Sequence, residues 1–139
     1  MNELKRMRGV TLMELMIVVV IVGILAGIAY PSYRQHVQRA KRPEAMSVLL
    51  QIATEQERYY LNHNTYASSL TALGFASDPY VTQTGSYSVT ITAADANTYQ
   101  ATATYQVGDE EASRCGVFSL DAAGNKTSAP QADCWTSNR

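Results

Sequence analysis

Arg8-Gly9-Val10-Thr11-Leu12-Met13-Glu14-Leu15-Met16-Ile17-Val18-Val19-Val20-Ile21-Val22-Gly23-Ile24-Leu25-Ala26-Gly27-Ile28-Ala29-Tyr30 holds one acidic side chain, Glu14, inside an apolar run that begins at Val10. The 21 residues from Val10 to Tyr30, wound as a helix at about 1.5 Å per residue, reach roughly 31 Å, or one hydrocarbon core. Ahead of the run, residues 1–9 carry Lys5, Arg6 and Arg8. Beyond Tyr30 the chain turns polar and rich in Thr, Ser, Ala and Tyr. With 139 residues there is room for one small domain besides this segment. Eleven Lys and Arg against twelve Asp and Glu give a net charge of −1, which excludes a bulk basic surface for nucleic acid. Eight Gly, four Pro, two Cys and two His exclude collagen-like, low-complexity and metal-rich classes.

Three readings of the apolar run are open. A secretory signal accounts for the basic start and for small residues at Gly27 and Ala29, but its apolar region is usually only about 7–15 residues. A plain membrane anchor accounts for the length but not for Glu14, since an intramembrane carboxylate asks for a partner. In the third reading the chain is cut between Gly9 and Val10. The new α-amine then lies four residues from Glu14, on the same helix face, and the carboxylate suits the positive end of the helix dipole. Gly23 and Gly27 form a G-x-x-x-G pair of the kind that lets helix backbones approach closely in lipid. Pro31 either ends the helix or bends it.

After Pro31 the apolar residues Ala45, Val48, Leu49, Ile52, Ala53, Tyr59 and Tyr60 recur at helical spacing among charged and amide side chains. One helix from about Val10 to Leu61 would be about 78 Å long by its rise per residue. That is too long for the remaining chain to cover, so its first half must be buried in bilayer or in other subunits. Asn62-His63-Asn64 ends the helix, and Thr65 to Val81 is an irregular connection. Tyr87, Val89, Ile91 and Ala93 alternate with Ser and Thr, Asp95-Ala96-Asn97 turns the chain, and Tyr99, Ala101, Ala103 and Tyr105 alternate again. A third strand is expected near Cys115 to Leu120, followed by a turn at Asp121–Asn125. These elements define an α+β head with an antiparallel sheet over the amphipathic helix.

The stretch from Arg8 to Ala26 closely resembles the N-terminus of type IV pilins and pseudopilins, with Val10 where the family usually has Phe. The order of elements resembles the pilin fold. Tyr59-Tyr60-Leu61, Asn64-Thr65-Tyr66 and Leu73-Gly74-Phe75 resemble type IVa minor pilins of the PilE type. The resemblance implies a leader of residues 1–9 removed by a prepilin peptidase between Gly9 and Val10, and N-methylation of Val10. It implies Glu14 as the assembly residue, residues 10–30 as the transmembrane and filament-core helix, and residues 31–139 as a periplasmic head. Gly23 and Gly27 would pack helices, and Pro31 would bend one. The implied partners are other major and minor pilins, the prepilin peptidase and an inner-membrane assembly platform. The protein would stand in the inner membrane before assembly and on the pilus surface after it. In such an exported head, Cys115 and Cys134 read as a disulfide. Its loop, with Asn125, Lys126, Thr127, Pro130 and Gln131, would be exposed, and Trp135 would pack against the bridge. Loss of the leader takes the formal charge from −1 to −3, by removing Lys5, Arg6, Arg8 and Glu3.

No catalytic constellation is visible, and no cofactor or metal is expected. His36 and His63 stand alone, and Asp109-Glu110-Glu111 reads as a solvated acidic loop. Some minor pilins bind DNA. Here Arg34, Arg39, Lys41 and Arg42 cluster beside the membrane segment, where lipid headgroups and neighbouring pilins account for them. Arg58, Arg114, Lys126 and Arg139 are scattered among nine acidic residues from Glu55 onward, and strong phosphate contact needs clustered cations. The expected function is therefore a minor pilin serving pilus initiation and assembly, hence twitching motility, adhesion or DNA uptake. The alternatives are a type II secretion pseudopilin, for which Asp133 alone is too little calcium chemistry, and a DNA-binding competence pilin.

Overall fold

The computed structural model describes residues 10–136. The expected leader, residues 1–9 with Gly9, lies outside the described residues, as do residues 137–139 with Arg139. The chain divides into two compact units at the boundary between His36 and Val37.

The first unit is helical. Helix α1 spans Leu12–Arg39, and Thr11 caps it: its carbonyl accepts the Leu15 N–H at 3.1 Å and its hydroxyl accepts the Glu14 N–H at 3.2 Å. Pro31 lies inside α1 and does not end it. Losing one donor in the ladder costs less than a terminus that leaves up to four carbonyls without helical partners. The helical chain is interrupted later, by a turn at Ala40-Lys41. There Pro43 lacks the N–H that the Arg39 carbonyl would need.

The second unit begins with the end of α1 and continues in helix α2, Arg42–His63, with Pro43 in its first turn. That position tolerates proline because the missing N–H has no helical partner. The expected polar stop is present: Asn62 Nδ2 donates to the Arg58 carbonyl at 3.0 Å, and Asn64, at φ 53°, donates its N–H to the Tyr60 carbonyl at 2.8 Å.

Five antiparallel strands follow in the order β1-β2-β3-β4-β5. They are β1 (Tyr80–Val81), β2 (Tyr87–Ala94), β3 (Tyr99–Tyr105), β4 (Val117–Asp121) and β5 (Lys126–Ala129). The β2–β3 hairpin pairs Tyr87 with Tyr105 and Val89 with Ala103 as the alternation predicts. A register shift between Ile91 and Ala93 leaves Ala93 exposed instead of inward. Tyr87, Val89, Tyr99, Ala101, Phe118 and Leu120 face a core shared with Ala45, Leu49 and Ile52 of α2. Gln56, also on α2, is fully buried. Its amide donates to the Ala67 carbonyl and accepts the Ala67 N–H, both at 2.8 Å, which leaves no amide atom unsatisfied.

The sequence reading misses three local features. The connection from Thr65 to Val81 contains a 3₁₀ turn at Thr71–Leu73 and the short strand β1. Cys115 closes a one-turn helix, α3 (Ala112–Cys115), so the third strand starts at Val117. Gly116 follows because a side chain there would run into the Ala112 carbonyl. Residues 126–129, expected as exposed loop, form β5.

Candidate functional site

The apolar side chains from Leu12 to Ile28 of α1 are exposed. Ile17, Ile21, Leu25 and Ile28 are each at least half exposed, and this is the one helical region among the described residues that is long and apolar enough to cross a membrane. A helix apolar on all sides is stable only where something other than water covers it. Gly23 and Gly27 lie one turn apart on α1, and a Cβ at either would meet nothing within 4 Å. No internal packing therefore explains their small size.

Glu14 is exposed in the first turn of α1, and its carboxylate has no ion-pair partner among the described residues. Val10 and Thr11 stand just before Leu12, the first residue of α1. Thr11 is the residue the sequence reading missed. Thr11-Leu12-Met13-Glu14 is a Thr-x-x-Glu capping signature, and the structure makes its hydroxyl-to-backbone half.

The basic cluster is smaller than the sequence suggests. Arg34 and Arg39 are exposed and Lys41 is half-buried, but Arg42 is buried. Its Nε donates to Glu111 Oε1, and its Nη2 donates to Glu111 Oε2 at 2.9 Å. Glu111, expected in a solvated loop, is thus the buried anchor of the segment leading into α3. The fork of the guanidinium matches the carboxylate bidentately. The hydrogen bond that Arg42 donates to Glu111 holds its guanidinium above the ordinary pKa, against the opposing pull of burial. Burial, followed by the nearby Glu111 carboxylate, pushes the Tyr87 phenol well above its usual range. Asp109 accepts the Tyr105 hydroxyl at 3.1 Å and the Glu111 N–H at 3.0 Å, so this acidic run is a structured corner.

Cys115 and Cys134 are joined in a disulfide, with Cα atoms 5.8 Å apart. The closed segment holds β4 and β5, while Asn125, Lys126, Thr127, Pro130 and Gln131 are exposed as expected. Trp135 stands edge-on to Phe118, with centroids 5.6 Å apart. The remaining described cations are dispersed: Arg58 pairs with Glu55 at 3.1 Å, Arg114 lies 4.0 Å from Glu110, and Lys126 sits over the Trp135 ring. No group of three or more His, Cys, Asp or Glu is placed to hold a metal among the described residues.

An uncovered apolar helix and a self-contained, disulfide-closed α+β domain define a helix-anchored subunit whose hydrophobic surface is completed by something outside its own chain. Comparison with known proteins makes the class specific. The family described as type IV minor pilin ComP, DNA uptake sequence receptor, matches residues 31–119, and the prokaryotic N-terminal methylation motif matches residues 4–30. The chain belongs to the type IV pilin family, whose members are structural proteins that assemble with other pilins into pili.

The type IV major pilin protein PilE1 of Neisseria gonorrhoeae is 43% identical over 79 residues, covering 57% of this chain and 47% of its own length. Type II secretion system core protein G of Pectobacterium carotovorum is 36% identical over 64 residues, covering 46% of this chain and 41% of its own. The chain thus spans about half the length of the curated relatives it matches. The crystal structure of the non-core minor pilin PilV of Neisseria meningitidis shares the fold, with a TM-score of 0.52 and 19% identity over 70% of this chain and 93% of that one.

Proposed function

We propose that this chain is a minor pilin, made as an inner-membrane precursor with its head in the periplasm, cut between Gly9 and Val10, methylated on Val10 and built into a type IV pilus or its initiating complex. The observation that carries this reading is the exposure of α1 beside a head whose own core is complete. Helices of other pilins supply the missing cover, Gly23 and Gly27 give close approach, Pro31 leaves a weak point in the ladder, and Glu14 meets the new α-amine of Val10. That amine and Glu14 neutralise each other within one chain or between neighbouring chains. The prepilin peptidase and the inner-membrane assembly platform are the processing partners. The family's description as a minor pilin favours this role over that of the main subunit.

N-terminal sequencing of the mature protein tests the reading: it begins at Val10, whereas a start at Tyr30 or Pro31 would identify a conventional signal peptide. In a deletion strain, loss of pili and twitching with normal type II secretion supports the pilus role, and the reverse supports the pseudopilin. A second reading, a DNA receptor for uptake, is favoured by the family's printed description and opposed by the dispersal of Arg58, Arg114 and Lys126. It predicts salt-dependent binding of duplex DNA that weakens on neutralising these cations.

A further inference from the structure

The C-terminal end of α2 and the 3₁₀ turn at Thr71–Leu73 enclose a surface cleft of about 370 Å³. Glu55, Arg58, Tyr59, Asn62 and His63 line one wall and Leu73 the other. The five helical positions recur at three and four residues, so they share one face of α2. Local bonds fix how each polar group is presented. The His63 ring stacks on Tyr59, with centroids 3.9 Å apart and planes 11° apart, and its Nδ1 lies 2.9 Å from the Tyr59 carbonyl. A carbonyl only accepts, so Nδ1 carries the hydrogen and the neutral ring keeps Nε2 as a free acceptor. The Asn62 amide is oriented in the same way. Its Nδ2 donates to the Arg58 carbonyl at 3.0 Å, which leaves Oδ1 free to accept. Arg58 gives Nη1 to both carboxylate oxygens of Glu55, at 3.1 and 3.2 Å, and keeps Nε and Nη2 as donors. The helix thus holds acceptors and a donor fork in set orientations.

We propose that this cleft binds a neutral saccharide of one or two rings. His63 Nε2, Asn62 Oδ1 and the Glu55 carboxylate accept from its hydroxyls, and Arg58 donates to them. A hydroxyl both donates and accepts, so a chain of hydroxyls matches a wall that mixes the two kinds of group. Charge selects against other small ligands: Glu55 repels an anion, Arg58 repels a cation, and the pair leaves the cleft near neutral. An apolar ligand finds little on this wall besides Leu73 and the ring edges. The volume lies at the small end of ligand sites, which run from about 300 to 1,000 Å³. Every group belongs to the head, so this recognition function is independent of how α1 is used in a filament.

The test is saturation-transfer NMR on the full chain in phosphocholine micelles, which carry no sugar headgroup. The probes are glucose, galactose, mannose, N-acetylglucosamine, maltose, cellobiose, lactose and chitobiose, with sialyllactose as the anionic counterpart of lactose. At least one neutral probe binds with a Kd below about 10 mM. His63→Phe keeps a ring on Tyr59 but removes Nε2, and it weakens that binding about fivefold, the weight of one neutral hydrogen bond. Arg58→Met weakens it about tenfold or more, because a charged donor is lost. The Arg58 side chain is 72% exposed, so this variant reads binding without disturbing the core. Lys126→Ala, on β5, leaves the affinity unchanged. Three results overturn the proposal: no neutral probe bound within that limit, binding that survives both cleft substitutions, or tighter binding of sialyllactose than of lactose.

Discussion

Leu49 and Ile52 of α2 are fully buried, whereas Ile17 and Ile21 of α1 are half exposed although the side chains are of the same kind. The two helices differ in the pattern around them. The buried residues of α2 share one face, with Ser47, Gln51, Thr54 and Arg58 exposed on the other, so one sheet suffices to cover it. From Leu12 to Tyr30 of α1 the apolar residues run all the way round and only Glu14 interrupts them, so no single sheet face could cover this part of the helix. The head has resolved its burial internally, to the point of pairing Arg42 with Glu111 and clamping Gln56 on Ala67. The first unit leaves its apolar side chains exposed, and that unfinished surface is the one the proposed assembly role uses.

The largest effect that separates the two regions falls on the head. Glu111→Ala takes the carboxylate from a buried guanidinium and destabilises the head by about 3–5 kcal/mol. Replacing both partners together, Arg42→Met with Glu111→Leu, is about neutral, because removing a buried pair also removes its desolvation cost. Thermal unfolding of the full chain followed by near-ultraviolet circular dichroism measures both. A single-variant cost below about 1 kcal/mol, typical of surface pairs, would show that the head does not rely on this buried contact.

Glu14→Ala gives the opposite pattern. The head melts unchanged, since Glu14 belongs to the first compact unit and the head to the second, while incorporation into sheared filaments falls roughly ten- to hundredfold, equivalent to the about 1.5–3 kcal/mol of one charge-assisted hydrogen bond. Normal recovery of Glu14→Ala chains in filaments would refute the assembly role. A changed melting temperature would break the comparison itself.

These two residues also mark how far the sequence could be read. The α+β class, the apolar span, the face of α2 and the β2–β3 hairpin were legible because each is a local period set by one element. Glu111 was not, because its partner lies 69 residues away and nothing in Asp109-Glu110-Glu111 singles out the buried member. Strand β5 was not, because Lys126-Thr127-Ser128-Ala129 has no apolar alternation and is a strand only through its pairing with β4. Thr11 was legible in principle, through Thr-x-x-Glu. The spacing of Glu14 from Val10 drew the reading to the amine and past the cap.

On the alkaline side the head carries its own signature. Burial is the main cause that pushes the Tyr99 and Tyr105 phenols up to about 12, and it moves Tyr87 further in the same direction. A raised phenol pKa contributes stability that is fully present below the unfolded value near pH 10 and is lost as pH rises toward the folded value. The head is therefore flat in stability from neutrality to about pH 10 and weakens between about pH 10 and 12 as these buried phenols ionise. Tyr105→Phe removes one part of that loss together with the hydrogen bond to Asp109, and melting curves across this range resolve it. A stability that stays flat to pH 12 would mean that these rings are wetter than their burial implies.

The smallest effect lies at the hairpin turn. Asp95 accepts the N–H groups of Asn97 at 2.7 Å and Thr98 at 2.8 Å, and these bonds hold its carboxyl below the ordinary carboxylate range. A depressed carboxylate contributes stability above its unfolded pKa and loses it as pH falls through the folded value. Acidification from pH 5 toward 2 therefore loosens the β2–β3 turn, and amide exchange at Asn97 and Thr98 rises ahead of exchange in the strands. Asp95→Asn keeps an acceptor oxygen in place but removes the titration, so its turn exchanges at one pH-corrected rate over that range. Because Asp95 is exposed, the change stays confined to the turn and leaves the melting temperature of the head almost unmoved. If acidification instead released the buried strands together with the turn, the head would be far closer to the unfinished state of α1 than its packed core implies.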